Sequence, residues 1–235
     1  MVSHTTRAGP SRPATIDDSE YAAFAWVIDP EGSNWNFGNR SMDVVLIGPI
    51  AAGKSTLGNL LSVALGLPQC SIDDVRFRYY SEIGYDESFA KRVYQSEGFW
   101  GLYRYWKPFE AHAVERVVED HPNSVIDLGA GHSVYEDDAL FVRVKRALAP
   151  CRHVVLLLPS PDLNTSLNVL RKRRPSLRAI EPDINEHFIM HRSNYELATF
   201  TVYTEGRLPR DTCAEIVGRI QSEARHPSPP HVPPG

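Results

Sequence analysis

Cysteine is scarce: the 235-residue chain holds only Cys70, Cys151 and Cys213, widely spaced and with no C-x-x-C pair. That excludes a disulfide scaffold and a cysteine-built zinc site, and it suits a reducing compartment. Long apolar runs are missing as well. No window approaches the roughly eighteen apolar residues of a membrane span, and the first dozen positions carry no apolar h-region, so neither a span nor a signal peptide is expected. Charge of one sign is also lacking, because 25 basic residues face 29 acidic ones for a net −4. Nothing in that balance suits nucleic acid or an anionic membrane surface. The expectation is a cytoplasmic monomer whose partner is a small molecule. The histidines, among them His4, His112, His121, His132, His153 and His187, show no metal-ligand spacing and read as surface or satisfied side chains.

Apolar residues make up 42% of the chain, enough for one substantial core. Its ends are of another composition. Residues 1–41 read as an N-terminal extension, partly disordered, 42–224 as one domain, and 225–235 as a disordered proline-rich tail. Within the domain, strand-like runs recur at 44–47, 69–72, 124–128, 153–158 and 199–203. Helical patterns fall between them at 55–65, 99–119, 134–147, 163–173, 184–196 and 209–224. Alternating β and α segments predict an α/β three-layer fold, a mostly parallel five-stranded sheet with helices on both faces.

The residues after the first strand spell a phosphate loop, Gly48-Pro49-Ile50-Ala51-Ala52-Gly53-Lys54-Ser55. Glycines at its ends let main-chain N–H groups turn inward onto phosphate oxygens. Lys54 brings a point charge to the β- and γ-phosphates, Ser55 offers a hydroxyl to Mg²⁺, and the helix that follows aims its positive dipole end at the anion. Gly48, Ala51, Ala52, Gly53, Lys54, Ser55 and Thr56 are therefore the expected contacts of ATP.

Asp73 and Asp74 follow the second strand, where a doubly wound sheet presents its ligand crevice. One of them is expected to receive an acceptor hydroxyl; the competing reading is a helix N-cap pair. After the third strand comes Asp127-Leu128-Gly129-Ala130-Gly131. In a phosphate-loop enzyme Asp127 would position Mg²⁺, and the glycines would let substrate approach the backbone. The same spelling also resembles the S-adenosylmethionine loop of methyltransferases, a second reading of the run. The cationic stretch 171–178 reads as a lid that neutralises charge on a transferred phosphoryl group, or as a solvated helix end that complements the dipole.

Over roughly residues 42–220 the pattern resembles the shikimate kinase family. The resemblance rests on the strand, loop and first helix through Pro68, on Asp73, on Gly129-Ala130-Gly131, on Arg174-Pro175-Ser176-Leu177, and on Arg192-Ser193-Asn194-Tyr195. It implies a P-loop kinase fold with a lid, and transfer of phosphate from ATP, with Mg²⁺, to a hydroxyl of shikimate or a shikimate-like acid. By resemblance, Asp73 and the triplet Gly129, Ala130 and Gly131 would bind the acceptor, with Asp74 beside them by its place at the strand end, Arg171 would lie over the adenine, Arg174 would reach the transferred phosphate, and Arg192 would bind the acceptor's carboxylate. Lys107, or else Arg104, falls near the family's second substrate arginine. The sequence departs from the family at Ser71, where the family has a first acid associated with Mg²⁺; Asp127 is the expected replacement. The aromatics Tyr79, Tyr80, Tyr85 and those from Phe99 to Trp106 lie where the family's substrate lid would be, and suggest a wider or more apolar acceptor pocket or, alternatively, plain core. Other acceptors of this fold, a sugar acid or an antibiotic, stay open, as does a nucleotide-binding module without chemistry.

Overall fold

A computed structural model describes residues 43–225. The extension expected over 1–41 and the tail from 226 onward lie outside the described residues. Five strands, β1 (Val44–Ile47), β2 (Gln69–Ser71), β3 (Val125–Asp127), β4 (His153–Leu158) and β5 (Phe200–Tyr203), form one sheet in the order β2-β3-β1-β4-β5. Every neighbouring pair is parallel, as the alternation of strands and helices predicts. The central strands bury all their side chains, β1 and β4 among them, because helices cover both faces. Each such Val, Ile or Leu contributes about 1.5–3 kcal/mol of burial free energy.

The helices are α1 (Lys54–Leu65), α2 (Ile72–Glu82), α3 (Glu87–Asp120), α4 (Asp138–Leu148), α5 (Leu163–Arg173), α6 (Ile184–Met190), α7 (Arg192–Leu197) and α8 (Pro209–Arg225). Several depart from the sequence expectation for local reasons. α2 is missing from the helical patterns above and is implied only by the N-cap reading of Asp73 and Asp74; Ser71 takes the N-cap position and the two acids occupy the first turn, where carboxylates favour the helix dipole. α3 begins twelve residues before the expected 99, capped by the Asp86 carboxylate on the Phe89 N–H; it bends at Gly98, whose φ of 67° leaves the helical region. α4 starts at 138 rather than 134, because Asp137 accepts from the Ala139 and Leu140 amides. The segment 184–196 divides at His191, whose ring accepts from the Ser193 N–H. α8 runs to Arg225, one residue into the expected tail. Among the described residues no helix is long and apolar enough to cross a membrane. The three cysteines are free and buried.

Candidate active site

The carboxyl ends of β1, β2 and β3 meet at one crevice, with the phosphate loop at its centre. Gly48 has φ 137°, and a Cβ there would lie 2.4 Å from the Leu157 carbonyl oxygen, so the first loop position admits only glycine. Gly53 (φ 101°) starts α1, and Ala51 takes a left-handed φ of 65° between them. Lys54 is buried, and its ammonium donates to the carbonyls of Gly48 and Pro49, both at 2.9 Å. Burial pushes its pKa down to about 8, with Asp73 and Asp127 pulling it back part of the way. Both acids are therefore close enough to act on the phosphate-binding charge.

Asp127 ends β3, paired in register with Leu46 on one side and Ser71 on the other. Its carboxylate is buried and accepts three hydrogen bonds, from Ser55 Oγ at 2.9 Å, Ser71 Oγ at 3.0 Å and Gln69 Nε2 at 2.8 Å. Ser71 spends its hydroxyl here rather than capping α2. The departure at Ser71 thus leaves the strand ends with a carboxylate on the neighbouring strand, one hydrogen bond away. Among the described residues no three His, Cys, Asp or Glu side chains gather as a metal-holding group. One buried carboxylate beside a hydroxyl is a hard-oxygen set, which fits Mg²⁺, an ion that keeps waters and phosphate oxygens in its shell.

On the other side of the crevice, Asp73 is half exposed and pairs with Arg76 at 3.1 Å. Asp73 Oδ1 lies 3.0 Å from where a Cβ on Gly129 would stand, and His132 Nδ1 lies 2.6 Å from the same point. His132 is buried, its Nε2 is 3.1 Å from the Tyr80 hydroxyl, and its Nδ1 has no hydrogen-bond partner. Burial holds its pKa down to about 3, so the ring is neutral. It is neither a surface histidine nor a satisfied one, contrary to the reading from spacing. Gly131 is crowded too, since a Cβ there would lie 2.4 Å from Glu110 Oε1. Ala130 turns its side chain into the cluster formed with Tyr103, Val134, Ile184 and Phe188, so only its main chain faces the turn. Asp74 is exposed in the first turn of α2, as a helix-start residue would be.

The cations resolve differently from the expectation. Lys107 is buried, ion-paired with Glu110 at 2.5 Å and donating to the carbonyls of Gly131 and Val134; its charge braces the glycine turn from behind. Arg104 pairs with Glu97 on the surface. Arg192 is exposed and paired with Asp138 at 2.5 Å, with no contact to Asp73 or Gly129. Arg171, expected over the adenine, donates to Asp183 at 2.7 Å and so anchors the lid helix α6. Arg174 is exposed at the end of α5. Arg173, which the sequence did not single out, reaches the phosphate loop by donating to the Ala51 carbonyl at 3.0 Å. With Thr56, Thr204, Arg207 and Pro209 it lines a cavity of about 370 Å³ beside the loop. From the lid, Asn185 accepts from the Ile50 N–H at 2.9 Å. Phe77, Tyr85, Tyr94 and Trp106 line a larger aromatic cavity of about 710 Å³ between α2 and α3, while Tyr79, Tyr80 and Tyr103 are core.

A model of the shikimate kinase family matches residues 50–221, from the phosphate loop into α8. The chain belongs to the shikimate kinase family. The shikimate kinase of Streptomyces coelicolor is 30% identical over 185 residues, spanning 76% of this chain and 95% of the relative. That of Persephonella marina is 28% identical over 182 residues, spanning 76% and 99%. Among solved structures, Acinetobacter baumannii shikimate kinase in complex with shikimate superposes with a TM-score of 0.55 at 20% identity, over 80% of this chain and 96% of that one. The Aquifex aeolicus shikimate kinase gives 0.52 at 20% identity, over 79% and 99%. These superpositions establish the shared P-loop kinase fold. The chain is thus a kinase, and the methyltransferase reading of the glycine turn falls, because the turn follows β3 of the same sheet that carries the phosphate loop.

Proposed function

We propose that this kinase transfers the γ-phosphoryl group of ATP to a hydroxyl of shikimate or a shikimate-like hydroxy acid, as a monomer in the cytoplasm. The observation that carries the reading is geometric. The Ser55 hydroxyl of the phosphate loop lies 2.9 Å from Asp127 at the end of β3, and two residues further on the Gly129 turn stands against Asp73, so phosphate donor and acceptor share one cleft. Polyphosphate would take Lys54 from the Gly48 and Pro49 carbonyls that hold it in the free protein. The main-chain amides from Gly48 to Ser55 and the start of α1 would cradle the β- and γ-phosphates. The adenine would lie in the cavity lined by Arg173, Arg207 and Pro209, a place the resemblance gave to Arg171.

Ser55 and Asp127 are the residues that would hold Mg²⁺, which when bound neutralises charge on the phosphate oxygens. Asp73 would orient the acceptor hydroxyl and accept its proton, with Gly129 leaving room for the acceptor against the main chain. Arg173 and Arg174, at the base of the lid, would offset charge spreading over the transferred group. Little covalent chemistry is asked of the protein; positioning and fixed charge supply the rate. The test is product analysis with ATP, Mg²⁺ and a panel of shikimate, other hydroxy acids, sugar acids and aminoglycosides. Phosphorylation confined to the hydroxy acids, lost in Lys54→Ala and strongly reduced in Asp73→Asn, is the expected result. Full turnover in Lys54→Ala, or transfer only to acceptors without a carboxylate, would refute it.

A further inference from the structure

The lid meets the phosphate loop at its crown. Asn185 lies in the first turn of α6 and is buried. Its Oδ1 accepts from the Ile50 N–H at 2.9 Å and its Nδ2 approaches the Ile50 carbonyl at 3.4 Å, so one side-chain amide takes both polar groups of one loop residue. The Asn185 main chain is fixed in turn, because its N–H donates to Asp183, which Arg171 holds at 2.7 Å. One residue along the loop, the Ala51 carbonyl accepts from Arg173 at 3.0 Å. The Ile50 side chain packs against the cluster that contains Ile184 and Phe188 of the lid, Tyr103 of α3 and Ala130 of the glycine turn. Loop, lid and acceptor turn thus share one set of contacts.

Ala51 is the reason this grip matters. Its φ of 65° lies in the left-handed region, which is unfavourable for a residue with a Cβ and persists only where the surroundings impose it. Asn185 fixes the residue before it, and Arg173 fixes its own carbonyl. The turn made there aims the following amides at polyphosphate. Without Asn185 the Ile50 N–H loses its acceptor, the crown relaxes, and the γ-phosphoryl group loses its line to the acceptor hydroxyl. Misalignment of that kind slows transfer far more than it weakens binding.

We propose that Asn185 is a positioning residue for phosphoryl transfer: acting through the Ile50 main chain, it holds the left-handed turn at Ala51 and keeps the phosphate loop in register with the lid and the glycine turn. The assignment rests on the proposed function and deepens it. In the productive step the acceptor oxygen bonds to the γ-phosphorus, the bond from that phosphorus to the ADP oxygen breaks, and the hydroxyl proton passes to Asp73. A lid released from the loop admits water, which takes the place of the acceptor oxygen and yields ADP and inorganic phosphate. Loss of Asn185 therefore changes both the rate and the destination of the phosphoryl group, while the amides and charges that bind ATP stay in place.

The experiment compares wild type with Asn185→Ala, Asn185→Asp and, as a control, Glu186→Gln, whose side chain is exposed on the same helical turn. With shikimate as acceptor, Asn185→Ala is expected to lower kcat about 10- to 100-fold with the KM for ATP within about threefold, and to raise the share of ATP converted to inorganic phosphate. Asn185→Asp keeps an oxygen for the Ile50 N–H, so at saturating ATP it should recover part of kcat, and Glu186→Gln should match wild type. A side chain of purely structural role would lower the melting temperature of Asn185→Ala and leave kcat and the share of inorganic phosphate unmoved, and that result overturns the inference. So does a rise in the KM for ATP with kcat unchanged. If wild type transfers nothing to shikimate, that acceptor is wrong, and Asn185 is judged by amide hydrogen exchange with a non-hydrolysable ATP analogue. The analogue should slow exchange in the loop peptide 46–52 and the lid peptide 180–190 of wild type, and in the loop peptide alone of Asn185→Ala. Equal slowing of the lid peptide in both proteins, or in neither, refutes the assignment.

Discussion

Asp127→Asn separates the metal role of the β3 carboxylate from its role in the fold. Asp127 is 2% exposed, so its surroundings are fixed by packing. Oδ1 accepts from Ser55 and Ser71, and Oδ2 accepts from Gln69. An asparagine keeps Oδ1 for the two hydroxyls and puts an amide where Oδ2 was. Gln69 can then turn its own amide over to accept, giving up only a 3.4 Å approach to the Ser55 carbonyl. Three charge-assisted hydrogen bonds become neutral ones, a loss of about 1–3 kcal/mol, partly offset because a buried charge is removed. For a domain of this size that lowers the melting temperature by about 2–8 °C. Metal binding should suffer more in proportion, since an anion beside the Ser55 hydroxyl is gone. The half-saturating Mg²⁺ concentration for turnover should rise about 10- to 100-fold, the range seen when carboxylates that support a metal are removed. Steady-state rates across a Mg²⁺ titration at saturating ATP read this directly, alongside thermal melts. Unchanged Mg²⁺ dependence in a folded Asp127→Asn protein would remove Asp127 from the metal site.

The buried Lys107–Glu110 pair gives a sharper stability test: Lys107→Met should cost about 3–5 kcal/mol in denaturant unfolding, and Lys107→Met with Glu110→Leu should recover much of it. Unaltered stability with a raised acceptor KM in the single variant would instead make Lys107 an acceptor ligand. Gly48→Ala drives a methyl onto the Leu157 main-chain oxygen at φ 137°, so a loss on the order of 3 kcal/mol and of nucleotide-induced stabilisation is expected; a wild-type melt would refute the steric account. Lys54 carries a pH signature. Its native pKa of about 8 lies below the ordinary 10.5, so between those values the unfolded chain binds the proton that the native chain has lost. Stability from this group is full above 10.5 and is lost as pH falls to 8. ATP affinity runs the other way, weakening as pH rises past 8 because the free site loses its ammonium. Lys54→Met should flatten both trends, measured by melts and by calorimetry with ATP.

Much of the crevice was legible because its residues declare themselves in order. The phosphate loop is a contiguous spelling between a strand and a helix, and the strands of a parallel sheet are apolar runs. Sequence order fails where partners come from register. That Ser71 and Gln69 on β2 would hydrogen-bond Asp127 on β3 follows from Ser71↔Asp127 pairing, which no local pattern encodes. α2 was hidden because Asp73 and Asp74 serve two readings at once, strand-end acids and first-turn residues; the structure keeps both, Asp73 facing the crevice and Asp74 the solvent. Among the four lid cations, identity gave no clue to direction. The turn of α5 sends Arg173 to the loop and Arg171 to Asp183. His132 reads from the sequence as a surface or satisfied side chain because it belongs to no motif, and only folding brings it to the glycine turn.

Phosphorus NMR of the full chain with ATP, Mg²⁺ and shikimate tests the central claim most directly. The account predicts one new phosphomonoester resonance growing in step with ADP, and neither product from Lys54→Ala. ATP left intact with shikimate and with every other hydroxy acid, in protein that still melts cooperatively, would contradict it.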